Sequence, residues 1–310
     1  MHSTAEEDRD SSTRTRMWPT LVILVLLVSC AVRLIGLGSI RSPIFDEHYY
    51  PHDAVIYLRG DIGPARDASW QPGQLRSRAH PPLGVLAIAS GIAVLGNRPF
   101  GWRCTSALAG MLLLIFVYPT GRRLGLRRPW AFAALLFAAA DPLLIAQSRI
   151  AMLDSFLALW TVASIYCALR YADSHSAWPW LWLCAVALGA AVATKWSGSF
   201  ALLALFGIAV LGPRRPAAKT LARDAGIVLA GVAVVYALAY VPYLLAGHSL
   251  PEWFAYQRDM LSYGWTVQSH DGNVSAPTSW IFDLDPLWYR WALTPRGVQG
   301  FVAIGNPLVW

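Results

Sequence analysis

The sequence predicts an all-α polytopic membrane protein, with about seven transmembrane helices, the start of an eighth, and a juxtamembrane helix in its first outer loop. Three observations lead there. Of the 310 residues 56% are hydrophobic and 14% charged, whereas soluble domains carry about 25% charged residues. The apolar residues fall in runs near the ~20 residues a helix needs to cross the hydrocarbon core. The basic residues gather in short clusters between those runs, a pattern that reads as topology rather than as a nucleic-acid surface. Fifteen Trp and twelve Tyr suit a protein with two membrane–water interfaces, where amphipathic rings settle.

Backbone groups find no water in the bilayer core, so each crossing is expected to be helical. The runs are 17–36, 104–119, 129–147, 150–169, 177–194, 197–212 and 224–246, and the eighth begins near Phe301. Residues 1–16 are polar and of mixed charge, the composition of a disordered cytoplasmic tail. Leu27-Val28-Ser29-Cys30 resembles a lipoprotein cleavage box, but the later spans favour an uncleaved anchor. The catalytic transmembrane region is expected over 17–246, including an outer loop at 37–103. Residues 247–310 form a second outer loop and the beginning of a further membrane region.

Leu83–Gly96 is apolar but short, with Pro81-Pro82 before it and Asn97-Arg98-Pro99 after it. Runs of this length lie at the interface more often than they cross. If it does not cross and the N-terminus is cytoplasmic, the inner loops concentrate twelve Lys and Arg in 47 residues. Dense Lys/Arg in short loops marks the cytoplasmic side. If it does cross, Gly121–Arg128 and Pro213–Arg223 turn outward. The expectation is therefore a helix lying flat on the outer surface.

The four cysteines (Cys30, Cys104, Cys167, Cys184) sit in or beside apolar runs without close spacing. They read as small buried hydrophobes rather than as a disulfide or metal framework.

Under this topology the chemically capable residues share the outer side. Asp46 and Glu47 stand in Phe45-Asp46-Glu47-His48-Tyr49-Tyr50 just after the first span. Like-charge repulsion and apolar surroundings raise a carboxylate pKa and leave a usable base; a pair of ordinary solvated acids is the alternative. His80 stands in Arg78-Ala79-His80-Pro81-Pro82-Leu83-Gly84, where the prolines rigidify the start of a helix. Arg149 and Asp154 flank the outer end of a span, either paired to each other or facing a cavity. An Arg there can grip a phosphate through its planar fork. Lys195 lies in the tight turn Lys195-Trp196-Ser197-Gly198, either snorkelling or approaching a phosphate. Asp141, within a span, is expected to serve packing or hydrogen bonding. The second outer loop offers Ser262-Tyr263-Gly264-Trp265, an aromatic platform at a Gly turn, and His270 in Ser269-His270-Asp271-Gly272.

Phe45-Asp46-Glu47-His48-Tyr49, His80-Pro81-Pro82-Leu83-Gly84, Gln147-Ser148-Arg149-Ile150-Ala151-Met152-Leu153-Asp154, Lys195-Trp196-Ser197-Gly198 and Ile304-Gly305-Asn306-Pro307-Leu308-Val309-Trp310 together resemble the bacterial protein O-mannosyltransferases, glycosyltransferase family 39 of the GT-C superfamily. An acidic pair after the first span is common to many GT-C enzymes; the five strings in order are far more specific. The resemblance implies a GT-C fold and a glycosyltransferase that moves mannose from polyprenyl phosphate mannose to Ser/Thr of secreted polypeptides, with inversion, at the outer face of the cell membrane. It implies catalytic roles for Asp46 and Glu47. Donor-phosphate or substrate contacts are expected from Arg149, His80, Asp154, Lys195 and His270. The expected partners are the lipid bilayer, Ser/Thr-rich secreted chains and the protein translocation machinery, and not nucleic acid. No cofactor or metal site is firmly implied, although Asp46 and Glu47 beside a phosphate can hold a divalent cation. The family continues through further spans, so the resemblance also implies a truncated or frameshifted member. Competing readings are another GT-C enzyme using a lipid-phosphate sugar, a lipid-linked sugar transporter and an inactive remnant; a transporter predicts a repeated half, and none is visible.

Overall fold

The computed structural model describes residues 3–62, 75, 78–173, 177–212, 216–266, 286–295 and 297–305. The order is α1 (Ser3–Leu34), a 3-10 turn (Phe45–His48), α2 (Tyr50–Arg59), α3 (Leu83–Leu95), α4 (Pro99–Arg123), α5 (Arg128–Ala140) and α6 (Pro142–Ser148). There follow α7 (Asp154–Asp173), α8 (Trp178–Thr194), a second 3-10 turn (Trp196–Phe200), α9 (Ala201–Leu211), α10 (Ala218–Ala239), α11 (Val241–Leu245), α12 (Leu250–Thr266), β1 (Leu287–Thr294) and β2 (Gly297–Ala303). Local signals set many of these boundaries. Proline occupies the first turn of α2, α4, α5, α6, α8 and α11, where its missing N–H costs nothing. Gly60, at φ 68°, terminates α2, a left-handed conformation that glycine adopts without a Cβ penalty.

Among the described residues four helices are long and apolar enough to cross a membrane: Met17–Leu34, Pro99–Arg123, Asp154–Asp173 and Ala218–Leu245. The expected span 129–147 is a pair, α5 and α6, bent by 53°. The break has a cause. Proline disfavours a helical residue before it, and the Asp141 carboxylate caps α6 by accepting from Leu144 N at 2.8 Å. The runs expected at 177–194 and 197–212 are apolar helices of fewer than 18 residues, as is α3. The protein is thus a mainly helical, multi-pass membrane protein.

Three expectations are corrected. Helix α1 begins at Ser3, within the stretch expected to be a disordered tail. Phe301 does not open an eighth span; it lies in β2, which pairs antiparallel with β1. The chain is accordingly not all-α. Trp288, Tyr289 and Trp291 are aromatic and strand-favouring, and Thr294 pairs with Gly297 across a two-residue connection. Finally, Ser262-Tyr263-Gly264-Trp265 does not form a Gly turn but ends helix α12.

The main core joins the loop after α1 to the bundle. Ile44, Tyr50, Val85, Ile88, Leu113, Leu114, Ile150, Leu153 and Phe156 are buried in one cluster. Helices α7 and α8 pack along each other, and α3 packs on α2, α4 and α8. At 13 residues, α3 is about 20 Å long, short of the ~30 Å hydrocarbon core.

Candidate active site

The site forms at one end of the α7–α8 pair, where four separated segments meet. Asp154 is the first residue of α7 and Lys195 caps the C-terminus of α8. Their side chains form an ion pair at 3.1 Å with each side chain 31% exposed. The alternative Arg149–Asp154 pair does not form, because residues 150–153 are a turn rather than helix. Two glycines permit the convergence. A Cβ on Gly84 would lie 2.6 Å from Leu153 Cδ2 and 3.1 Å from Thr194 Cγ2, so glycine lets the start of α3 approach both segments without displacing their side chains. That approach carries His80 to where it feels the charges of Lys195 and Asp154. A Cβ on Gly198 would lie 2.6 Å from the Ala191 carbonyl carbon, which fits the turn after Lys195 against the end of α8.

Asp46 and Glu47 are adjacent in the chain and occupy opposite environments. They lie in a 3-10 turn, where consecutive side chains point about 120° apart. Glu47 is buried. Its Oε2 accepts from Arg103 Nη2 at 2.7 Å and Ile44 N at 2.8 Å; its Oε1 accepts from Arg103 Nε at 2.7 Å and Ala151 N at 2.8 Å. A carboxylate has about four lone-pair sites, and all are used. Arg103 also donates to the carbonyls of Leu37, Ile40 and Ser42, so this pair ties the loop 37–47 to α4. Glu47, expected to be catalytic with Asp46, here spends all its acceptor sites on Arg103 and on two backbone N–H groups.

Asp46 remains open to chemistry. Burial raises its pKa above the usual carboxylate value; Asp154 adds to the rise, while the Tyr50 hydrogen bond and Lys195 oppose it. Tyr50 Oη donates to Asp46 Oδ2 at 3.4 Å. The residue before it, Phe45, has φ 50°, an uncommon conformation for a bulky side chain. Desolvation, with help from Lys195, lowers the His80 pKa to about 4, so its imidazole is neutral at physiological pH.

Arg149 does not face this cluster as expected for a phosphate ligand. Its guanidinium donates to the carbonyls of Val32 and Ile35, satisfying acceptors at the end of α1. His270 lies outside the described residues. Sequence reasoning missed three residues. Arg103 carried a signal, being an ionisable residue at the edge of an apolar run. Tyr50 carried one too, standing three residues after the acidic pair in Phe45-Asp46-Glu47-His48-Tyr49-Tyr50. Tyr289 had no signal: its ring packs against Phe45 at 4.6 Å, and its hydroxyl meets Gln147 Nε2 at 2.5 Å. Burial and the charges of Asp154 and Asp46 raise its pKa, so it stays a neutral hydroxyl.

The arrangement brings a partly desolvated carboxylate, a cation and neutral hydrogen-bonding groups within electrostatic reach of one another. Among the described residues no group of three or more His, Cys, Asp or Glu could hold a metal ion.

Residues 23–246 match the family described as dolichyl-phosphate-mannose-protein mannosyltransferase. The chain is 27% identical to a polyprenol-phosphate-mannose–protein mannosyltransferase of Corynebacterium glutamicum, over 96% of this chain and 63% of the relative. It is 29% identical to one of Mycobacterium tuberculosis, over 78% of this chain and 50% of the relative. The chain thus spans half to two thirds of the length of these relatives. Its fold is similar to that of an S. cerevisiae protein O-mannosyltransferase complex bound to the sugar donor, with TM-score 0.57 and 24% identity over 79% of this chain and 34% of the other. ArnT from Cupriavidus metallidurans also has TM-score 0.57, at 18% identity over 85% of this chain and 46% of the other.

Proposed function

The chain belongs to the dolichyl-phosphate-mannose-protein mannosyltransferase family, and from that premise we propose that it transfers mannose from a polyprenyl phosphate to Ser or Thr hydroxyls of polypeptides. The observation that carries the chemistry is Asp46: a half-buried carboxylate of raised pKa that feels the charges of the Asp154–Lys195 pair, where four segments come together.

Activating an alcohol is the harder half of the reaction, because the donor phosphate already leaves well. The acceptor oxygen attacks the anomeric carbon while Asp46 takes its proton. The bond from that carbon to the phosphate oxygen breaks, and polyprenyl phosphate departs with the electron pair. One displacement inverts the anomeric centre. Lys195 neutralises charge growing on the departing phosphate, held in place by Asp154. His80, neutral, supplies a hydrogen bond. Glu47 and Arg149 act through the backbone they fix, not on the reacting atoms.

The reading includes a topology: N-terminus cytoplasmic, α3 flat on the outer surface, and the site at the outer face of the cell membrane. The shortness of α3 and the dense Lys/Arg of the loops after α4 and α9 support it. The acceptors are then secreted Ser/Thr-rich chains, and the translocation machinery is their source. Membranes containing the chain, given polyprenyl phosphate mannose and a Ser/Thr-rich peptide, test the function. The wild type should mannosylate the peptide and Asp46→Asn should not; equal turnover by both would remove Asp46 as the base.

A further inference from the structure

We propose that the open edge of β1 docks the acceptor polypeptide as an added strand, presenting its hydroxyl residue to Asp46. This rests on the mannosyl-transfer reading above and names how the acceptor is held.

The hairpin is an unusual element in this bundle. Among the described residues its sheet has two strands only. It is fixed beside the site by three anchors: Tyr289 on Phe45, Tyr289 to Gln147, and Arg290 to the Ser42 hydroxyl. β2 packs against α6, while the anchors just named hold β1 through Tyr289 and Arg290. Trp288, Trp291 and Leu293 on β1 are 44%, 60% and 80% exposed.

A strand edge presents unpaired N–H and C=O groups, and proteins usually blunt such edges with Lys, Pro or a covering element. Leu287–Thr294 contains no Lys and no Pro. Its one charge, Arg290, is turned to Ser42. Among the described residues no strand other than β2 pairs with β1, and an edge left unpaired next to Asp46 fits a strand that is completed during use. Pairing through main-chain hydrogen bonds reads backbone rather than side chains. That suits an enzyme whose acceptors share a hydroxyl and little else. Successive side chains of an added strand point to opposite faces, so every second residue faces the site. The pairing of β1 with β2 is irregular between Trp288 and Arg290. Bulges of this kind re-aim side chains near active sites, and here the residue at the bulge, Tyr289, reaches the electrostatic field of Asp46 and Asp154.

The test uses the chain in membranes, with a Ser/Thr-containing synthetic peptide as probe. Leu293→p-benzoylphenylalanine places a photo-crosslinker on β1 without touching the catalytic cluster. Docking predicts crosslinks to the peptide. Backbone N-methylation of the peptide should weaken them at alternate positions, by about threefold to tenfold for each lost hydrogen bond, and leave the intervening positions unaffected. The KM for transfer should follow the same alternation. Crosslinks to lipid alone would overturn the proposal and make the exposed tryptophans a membrane anchor. A uniform effect of methylation, or none, would also overturn it. Register-dependent crosslinks without mannose transfer would support docking while sinking the transfer reading. Transfer without alternation would sink docking alone.

Discussion

The Glu47–Arg103 and Asp154–Lys195 pairs bring the same charges to similar separations, 2.7 Å and 3.1 Å. Their surroundings differ. The side chains of the first pair are at most 2% exposed, and those of the second 31% each. The first is closed: every lone pair of Glu47 is taken, and its strength goes into holding the loop 37–47 on α4. The second is half open, so Lys195 can exchange part of its interaction with Asp154 for a phosphate. A buried pair cannot be rearranged cheaply, because separating the charges in low dielectric costs more than water returns. In the proposed mechanism the chemistry therefore falls to the more exposed pair.

The largest effect expected from breaking this contrast is on folding. Glu47→Ala leaves Arg103 charged and unpaired in the core, and should cost about 3–5 kcal/mol, read as a loss of thermal stability in detergent. Lys195→Met should cost less than about 1 kcal/mol, as for other partly exposed pairs. Similar losses from the two would show that exposure does not separate them. Asp46→Asn sharpens the contrast from the other side. It should lower transfer by about 10²–10⁴-fold, the range for a general base, while leaving the melting temperature close to wild type. A melting temperature as low as that of Glu47→Ala would mean that Asp46 is structural too.

A smaller effect concerns His80. Its folded-state pKa is about 4, below the ordinary 6.5, so the unfolded chain binds the proton first as pH falls. The stability tied to neutral His80 is present above pH 6.5 and is lost on the way down to about 4. His80→Asn should flatten that part of the stability profile relative to wild type, measured by melting across the pH series. Smallest of all is Tyr50→Phe. The Tyr50 hydrogen bond lowers the Asp46 pKa, so its removal should move the acid limb of the transfer rate upward by about half a pH unit. A downward shift would mean that Tyr50 does not stabilise the charged carboxylate.

Much of the molecule was legible in the chain itself. Run lengths gave the multi-pass helical class, prolines marked helix starts, and Asp141 was recognised as a hydrogen-bonding residue. Asp46, His80, Asp154 and Lys195 stand out in their motifs, and the fold brings them within electrostatic reach of one another. Arg149 was picked out too, but its guanidinium belongs to the end of α1. The hairpin was missed because Phe301 to Ile304 is apolar, and a short apolar run does not distinguish a strand from the start of a span.

By itself the sequence determined what is local: which stretches are too apolar for water, where helices start, and which motifs the chain carries. Tertiary structure alone decided the division of labour between two neighbouring acids. Glu47 is silenced by an arginine 56 residues away, and Asp154 finds its partner 41 residues on. The physical reason is that a carboxylate's pKa and its availability depend on desolvation and on charges across space, and neither is written in the residues beside it.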